Sequence, residues 1–263
     1  MKRAVRRPLL LVASLGFYGA VSPACVDYPQ AILVSKVVTP TLDQETGVCK
    51  ISAAGDALIS GAIDIAAAGA YLANVVVQNQ MFTREDRSKQ RVETSKVFLL
   101  GATVRATLLD GTPLEGRDGK GQVVRTGNEY TSRGTGFVEA NIGAAPGLGT
   151  VEVILLDPDT INTLRIREDL KVPGSSISVL TYTRVQGQSA GGLAVESQEF
   201  QFPITVFNKS LVDFHPDPAN PANVCAILPT SSTDKRIPAC RPGQDQRTDC
   251  LDCQSQEYCR TKK

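Results

Sequence analysis

Residues 176–186 read SISVLTYTRVQ, and residues 193–207 read LAVESQEFQFPITVF. In the first stretch Ile177, Val179, Thr181 and Thr183 fall on one side; in the second, Phe200, Phe202, Ile204 and Val206 share a face. A period of two is the pattern of a β-strand that buries one face, whereas a helix would space its apolar residues by three and four. Glycines at 187, 191 and 192 place a turn between the two runs, so they read as consecutive strands. Pro203 has no amide hydrogen to give to a ladder, and the second strand is expected to lie at an edge or a bulge there.

The rest of the chain repeats this pattern in shorter pieces. Strands are predicted over residues 31–38 (AILVSKVV), 49–51, 57–68 (ALISGAIDIAAA), 71–78 (YLANVVVQ) and 97–109 (VFLLGATVRATLL). Asp64 and Asn74, with Gly61 and Gly69, argue against reading residues 57–77 as a membrane span. In residues 97–109 the apolar phase changes, and Gly101 is the place for a bulge. Downstream of it Val104, Ala106 and Leu108 would point inward, and Thr103, Arg105 and Thr107 outward. Further strands are expected over 122–126, 137–140 and 150–156. Residues 81–93 (MFTREDRSKQRVE) carry mixed charges without an apolar period and read as an exposed loop.

One helix is predicted. Asp157 can cap it, Pro158 suits its first turn, and Ile161 and Leu164 fall on one face before Pro173. Many short strands between turn signals, with at most one short helix, give the fold class: all-β, an immunoglobulin-like antiparallel β-sandwich. Tryptophan is absent and aromatics are 5% of the chain, so its core must be built from Val, Ile, Leu and Ala.

Two flanking segments differ in composition. Residues 1–24 form a secretory signal peptide: the basic MKRAVRR, the 14-residue apolar run PLLLVASLGFYGAV, then Ser22-Pro23-Ala24 before Cys25. The apolar run is too short for a comfortable membrane span. Two cleavage readings are open. Ser22 and Ala24 suit ordinary signal-peptidase cleavage; Ala24-Cys25 fits a bacterial lipobox, in which Cys25 is acylated, although Ser22 and Pro23 depart from it. Arg6-Arg7 reads as ordinary basic charge. The sandwich is assigned to residues 25–208. Residues 209–263 form a Pro-rich linker, with HPDPANPA at 215–222, and a disulfide-rich C-terminal tail holding five cysteines from Cys225 onward. Such a tail has too little apolar surface to fold without cross-links.

The chain has seven cysteines, an odd count. Setting Cys25 apart for a lipid leaves Cys49, Cys225, Cys240, Cys250, Cys253 and Cys259 as disulfide candidates, with pairing undetermined by sequence. A bridge from Cys49 to the tail would pin the tail to the sandwich. Cys250-x-x-Cys253 has the spacing of a zinc knuckle or redox pair, but export disfavours thiolates and no βαβ context surrounds it, so structural disulfides are preferred.

Other chemistry is sparse. The signal holds four of the 28 basic residues and no acidic one, leaving 24 against 27, a net of −3. That balance supports neither nucleic-acid binding nor capture by an anionic membrane. The single histidine, His215, lies in the proline-rich stretch. The glycines of GRDGKG (116–121) and Gly134 to Gly136 lack the ending and setting of a phosphate loop and read as hairpin and loop residues. Asp157, Asp159, Asp213 and Asp217 are explained by capping and turns, as the Asn208-Lys209-Ser210 sequon is by chance. No metal, cofactor or catalytic residue is assigned.

Residues 187–206 (GQSAGGLAVESQEFQFPITV), the tail CRPGQDQRTDCLDC, VVVQNQM (75–81) and RVETSKVF (91–98) resemble exported lipoproteins of myxobacterial type. In such relatives the last strand runs into a close cysteine pair; here Phe207-Asn208-Lys209-Ser210 stands in that place, so that bridge is absent. The resemblance implies an envelope protein with a β-sandwich and a Cys-rich tail, and it supplies no catalytic residue. The functional expectation is a non-enzymatic, lipid-anchored binding or structural module of the outer membrane or periplasm, with a protein or glycan partner. Val26, in place of an aspartate after the lipidated cysteine, favours the outer membrane. Two alternatives stand beside it: a secreted, glycosidase-like hydrolase whose carboxylates converge only in three dimensions, and a subunit of a larger envelope assembly.

Overall fold

The structure is a computed structural model and describes residues 30–43, 46, 48–83, 93–142, 145–213, 240–241, 243–246 and 248–249. Residues 1–24, predicted as a signal peptide, and Cys25, His215, Asp217 and four of the tail cysteines (Cys225, Cys250, Cys253, Cys259) lie outside the described residues, as does most of the charged loop.

In chain order the strands are β1 (Ile32–Val38), β2 (Thr41–Leu42), β3 (Cys49–Lys50), β4 (Ala57–Leu58), β5 (Gly61–Asp64), β6 (Tyr71–Asn79), β7 (Val97–Leu108), β8 (Leu114–Arg117), β9 (Val123–Thr126), β10 (Tyr130–Val138) and β11 (Gly147–Leu156). The helix α1 (Pro158–Arg165) and a 3-10 turn (Glu168–Leu170) follow, then β12 (Ser176–Ser189), β13 (Ala194–Glu196), β14 (Phe200–Phe207), β15 (Val212–Asp213) and β16 (Thr248–Asp249).

Two sheets make the sandwich. One has the order β11-β6-β1-β4; the other has β10-β7-β12-β14-β5, with β13 added to β12. Their inward faces supply a single core of Val, Ile and Leu, with Tyr71 and Phe202 as its largest buried side chains. Here the fold is all-β, and the placing of β1-β6-β11 against β10-β7-β12-β14 is consistent with an immunoglobulin-like order. Two pairings depart from the all-antiparallel expectation: β5 runs parallel to β14 within the sandwich, and β15 runs parallel to β16 outside it. The chain stays in the first sheet through β4 and crosses to the other between β4 and β5.

The alternating runs lie where their periodicity requires. In β12 the buried set is Val179, Thr181, Thr183 and Val185, and β14 buries Phe202, Ile204 and Val206. Pro203 sits opposite Leu180 one residue before β5 begins to pair at Ile204, so β14 is locally an edge at the one residue that cannot donate. Gly101 (φ 132°) marks a β-bulge in β7. Val97 and Leu99 point inward before it, and Ala102, Val104 and Ala106 after it. Thr107 is buried and Leu108 only half-buried, the reverse of the expected phase, because the strand ends there in a tight turn where Leu108 donates to Thr112.

Gly134 and Gly136 are not loop residues. They lie in β10 and, with Gly147 and Gly149 of β11, form a glycine seam between the edge strands of the two sheets. A Cβ on Gly134 would stand 2.5 Å from the Glu152 carbonyl oxygen, and one on Gly136 2.3 Å from that of Thr150. A Cβ on Gly149 would stand 2.1 Å from the Phe137 carbonyl oxygen, and one on Gly147 1.8 Å from that of Glu139. Farther along, Tyr130 Oη donates to the Ile154 carbonyl (2.9 Å), and the Ile154 amide donates to Ser132 Oγ (2.8 Å). The two strands thus keep antiparallel alignment without a backbone ladder, and they close that side of the sandwich.

Candidate functional site

Two polar constellations lie at the end of the sandwich where β1 finishes and β6 begins. The first is a clasp made by the tail. Cys49 and Cys240 form a disulfide with Cα atoms 5.8 Å apart, which is the Cys49-to-tail bridge the cysteine pattern suggested. From that anchor residues 243–245 pair antiparallel with the outer edge of β5. The Asp64 amide donates to the Gly243 carbonyl (2.7 Å), and the Asp245 amide to the Ala62 carbonyl (2.8 Å). An edge strand left bare is a template for unwanted pairing, and the tail covers it.

Side chains of the same segment reach the other sheet. The Gln244 amide accepts from Leu72 N (3.0 Å) and donates to Leu72 O (2.6 Å), satisfying both backbone groups of one residue of β6. Arg241 donates to the Leu72 carbonyl and to Asn74 Oδ1, and pairs with Glu152. Asp245 Oδ1 accepts from Tyr71 Oη (2.8 Å) and from Ala62 N (2.9 Å). Gly61 makes room for that phenol, since a Cβ there would stand 2.3 Å from Tyr71 Oη. Burial, and secondarily the neighbouring Asp245 carboxylate, push the Tyr71 phenol far above its usual range.

Asp64, fully buried, joins the tail at a second point. Its carboxylate accepts from the amides of Ala66, Lys209, Ser210 and Leu211 at 2.8–3.0 Å. A buried carboxylate needs such partners, and four amide dipoles supply them. Residues 209–211 are therefore held to β5 rather than trailing from it. Nothing in the sequence marked Asp64, Tyr71, Arg241, Gln244 or Asp245 as a set, although a lone aspartate inside an apolar strand was a visible anomaly.

The second constellation is a groove of about 340 Å³ between the β8–β9 hairpin and the 3-10 turn, lined by Glu115, Arg117, Val123, Arg167, Glu168 and Asp169. The helix positions it as the sequence predicts. Asp157 accepts from Thr160 N (2.9 Å), Pro158 opens α1, and Ile161 and Leu164 are buried. Gly116 lets the hairpin approach α1, since a Cβ there would meet the Thr163 carbonyl at 2.7 Å. Arg167 then ties the two walls: it donates to the Glu115 carbonyl (2.8 Å) and, through Nε and Nη2, to both oxygens of Asp169 (3.0 and 2.6 Å). Of the GRDGKG segment, Gly116 and Arg117 end β8, and residues 118–121 make the hairpin turn. The Lys120 amide and that of Gln122, just after it, donate to Asp118 Oδ1, both at 2.8 Å, and are not free for a phosphate.

The groove carries charge in compensated pairs. Glu115 faces Arg125 (2.6 Å), Glu168 faces Lys171 (2.6 Å) and Asp169 faces Arg167. Hydrogen bonds from Arg167 hold the Asp169 carboxyl below the usual carboxylate range. Each of these carboxylates thus has a cationic partner across or beside the groove. Of the acidic residues singled out from sequence, Asp157 caps α1, Asp159 lies exposed in its first turn and Asp213 lies in β15, so the structure does not bring them together. Among the described residues no group of three His, Cys, Asp or Glu could hold a metal, and no helix is long and apolar enough to cross a membrane. Comparison with protein-family models, with curated proteins and with solved structures found no match.

Proposed function

We propose that this chain is a non-enzymatic, lipid-anchored cell-envelope protein. It is exported, cut before Cys25 and acylated there, and Val26 favours its sorting to the outer membrane. Its sandwich serves as a binding or structural module, with the compensated groove beside α1 as the place for a polar, glycan-like or protein ligand. The observation that carries this reading is the Cys49–Cys240 bridge. Disulfides persist in oxidising compartments, and residues 1–24 have the form of the signal that leads there. Taking this pair out of seven cysteines leaves four in the tail, able to bridge among themselves, and Cys25 alone.

Intact-mass analysis of the mature protein, with a Cys25→Ser control, tests the reading. The expected mass is that of a chain beginning at Cys25 plus acyl groups, with its other six cysteines oxidised; Cys25→Ser is expected to lose the acyl mass. A mature chain without lipid refutes the anchored reading.

A further inference from the structure

We propose that the end of the sandwich where β1 begins rests on the membrane surface, so that the groove and the tail clasp face away from the bilayer. This rests on the lipid anchor at Cys25. The strand ends show which residues share that end. β1 starts at Ile32 opposite Asn79, the last residue of β6, and β11 starts at Gly147 opposite the same Asn79. Across the glycine seam Glu139 lies against Gly147. β7 starts there at Val97, paired with Val138 on one side and Ser189 on the other.

The tether is short. Five residues separate Cys25 from Ala31, and the six steps from one to the other span at most about 22 Å. The 14 residues of β12 extend over about 45 Å. A lipid at Cys25 therefore keeps the β1 end beside the bilayer, and the opposite end cannot take its place.

That end has the side chains for the contact. Phe82 (64% exposed), Ile142 (73%) and Leu193 (63%) are at its tip, with Phe98 and Phe137 paired across β7 and β10 and Leu148 on β11 just behind. Exposed Val, Ile and Leu occur at both ends, but the three exposed phenylalanines among the described residues all lie at this one. Lys96 lies over the Phe137 ring at 4.0 Å, and a domain held at a lipid surface can bury such rings among headgroups and acyl chains.

The chain has no tryptophan, so a single introduced one is an unambiguous probe. Lipidated protein carrying Phe82→Trp, Ile142→Trp or, at the far end, Leu109→Trp is reconstituted into phosphatidylethanolamine–phosphatidylglycerol vesicles containing chain-brominated phosphatidylcholine. Flotation reports anchoring, and bromine quenching reports contact. The expected result is flotation of all three, loss of most emission at positions 82 and 142, and unchanged emission at 109. Flotation with no quenching, or with equal quenching at 109, overturns the orientation and leaves the anchor intact. Failure to float refutes the anchor, and the orientation falls with it.

Discussion

Gly149→Ala tests whether the sandwich closes as the glycine seam implies. The new Cβ would lie 2.1 Å from the Phe137 carbonyl oxygen and 2.9 Å from Val138 Cγ2, where ordinary contact begins at 3.4 Å. The obstacle is backbone, so the seam would have to open by about 1.3 Å. That movement pulls the fully buried Val138 and Val151 away from their neighbours, and a gap of roughly 1 Å forfeits up to about half of a dispersion contact. Overpacking of this kind costs about 1–3 kcal/mol. At roughly 2–4 °C per kcal/mol for a domain of this size, Tm falls by about 2–12 °C. The control is Gly119→Ala, in the exposed hairpin turn, where a Cβ meets nothing within 4 Å and no loss is expected. Neither position has a left-handed φ, so the comparison isolates the contact. Thermal melts followed by circular dichroism read both variants. If Gly149→Ala melts with Gly119→Ala, the close approach of β10 and β11 is wrong.

Three further outcomes are expected. Asp64→Asn replaces one acceptor oxygen with a donor facing buried amides and is expected to cost about 2–4 kcal/mol in urea melts, with amide exchange at residues 209–211 rising first. Tyr71 and Tyr130 have phenols raised chiefly by burial, so they bind protons more tightly folded than unfolded. Their contribution is complete below the ordinary tyrosine range and is lost as pH rises above it, by about 1.4 kcal/mol per pH unit for each. Absorbance at 295 nm is then expected to show these two ionising only together with unfolding. Cys49→Ser opens a loop of 191 residues; the chain-entropy relation puts the loss at up to about 5 kcal/mol. In calorimetry its Tm should lie well below that of the parent, and an unchanged Tm would show that the clasp holds without its bridge.

The strands were the most legible part of the fold. Alternation in residues 176–186 and 200–206 identifies the inward side chains because a strand repeats every two residues, and a local rule suffices. Capping by Asp157 and the bulge at Gly101 were legible for the same reason, since each is decided within one turn of chain. The glycine seam was not. Gly134 and Gly136 look like loop residues, and what makes them necessary is a carbonyl row on another strand. The site was less legible still. The groove needs a hairpin at 114–126 and a turn at 168–170 to meet, and Arg167 pairs with a carbonyl 52 residues away.

Composition and local pattern thus determined the all-β class, the α-helix at 158–165 and the cysteine count. Each depends on neighbours in the chain or on totals over it. Only the tertiary structure decided that β5 runs parallel to β14, that Cys49 pairs with Cys240, and that Asp64, Tyr71 and Leu72 take their partners from the tail. Those choices join groups up to about 190 residues apart. They are made by which backbone donors and acceptors remain unsatisfied once the sheets have packed, a quantity that does not exist until the core has formed.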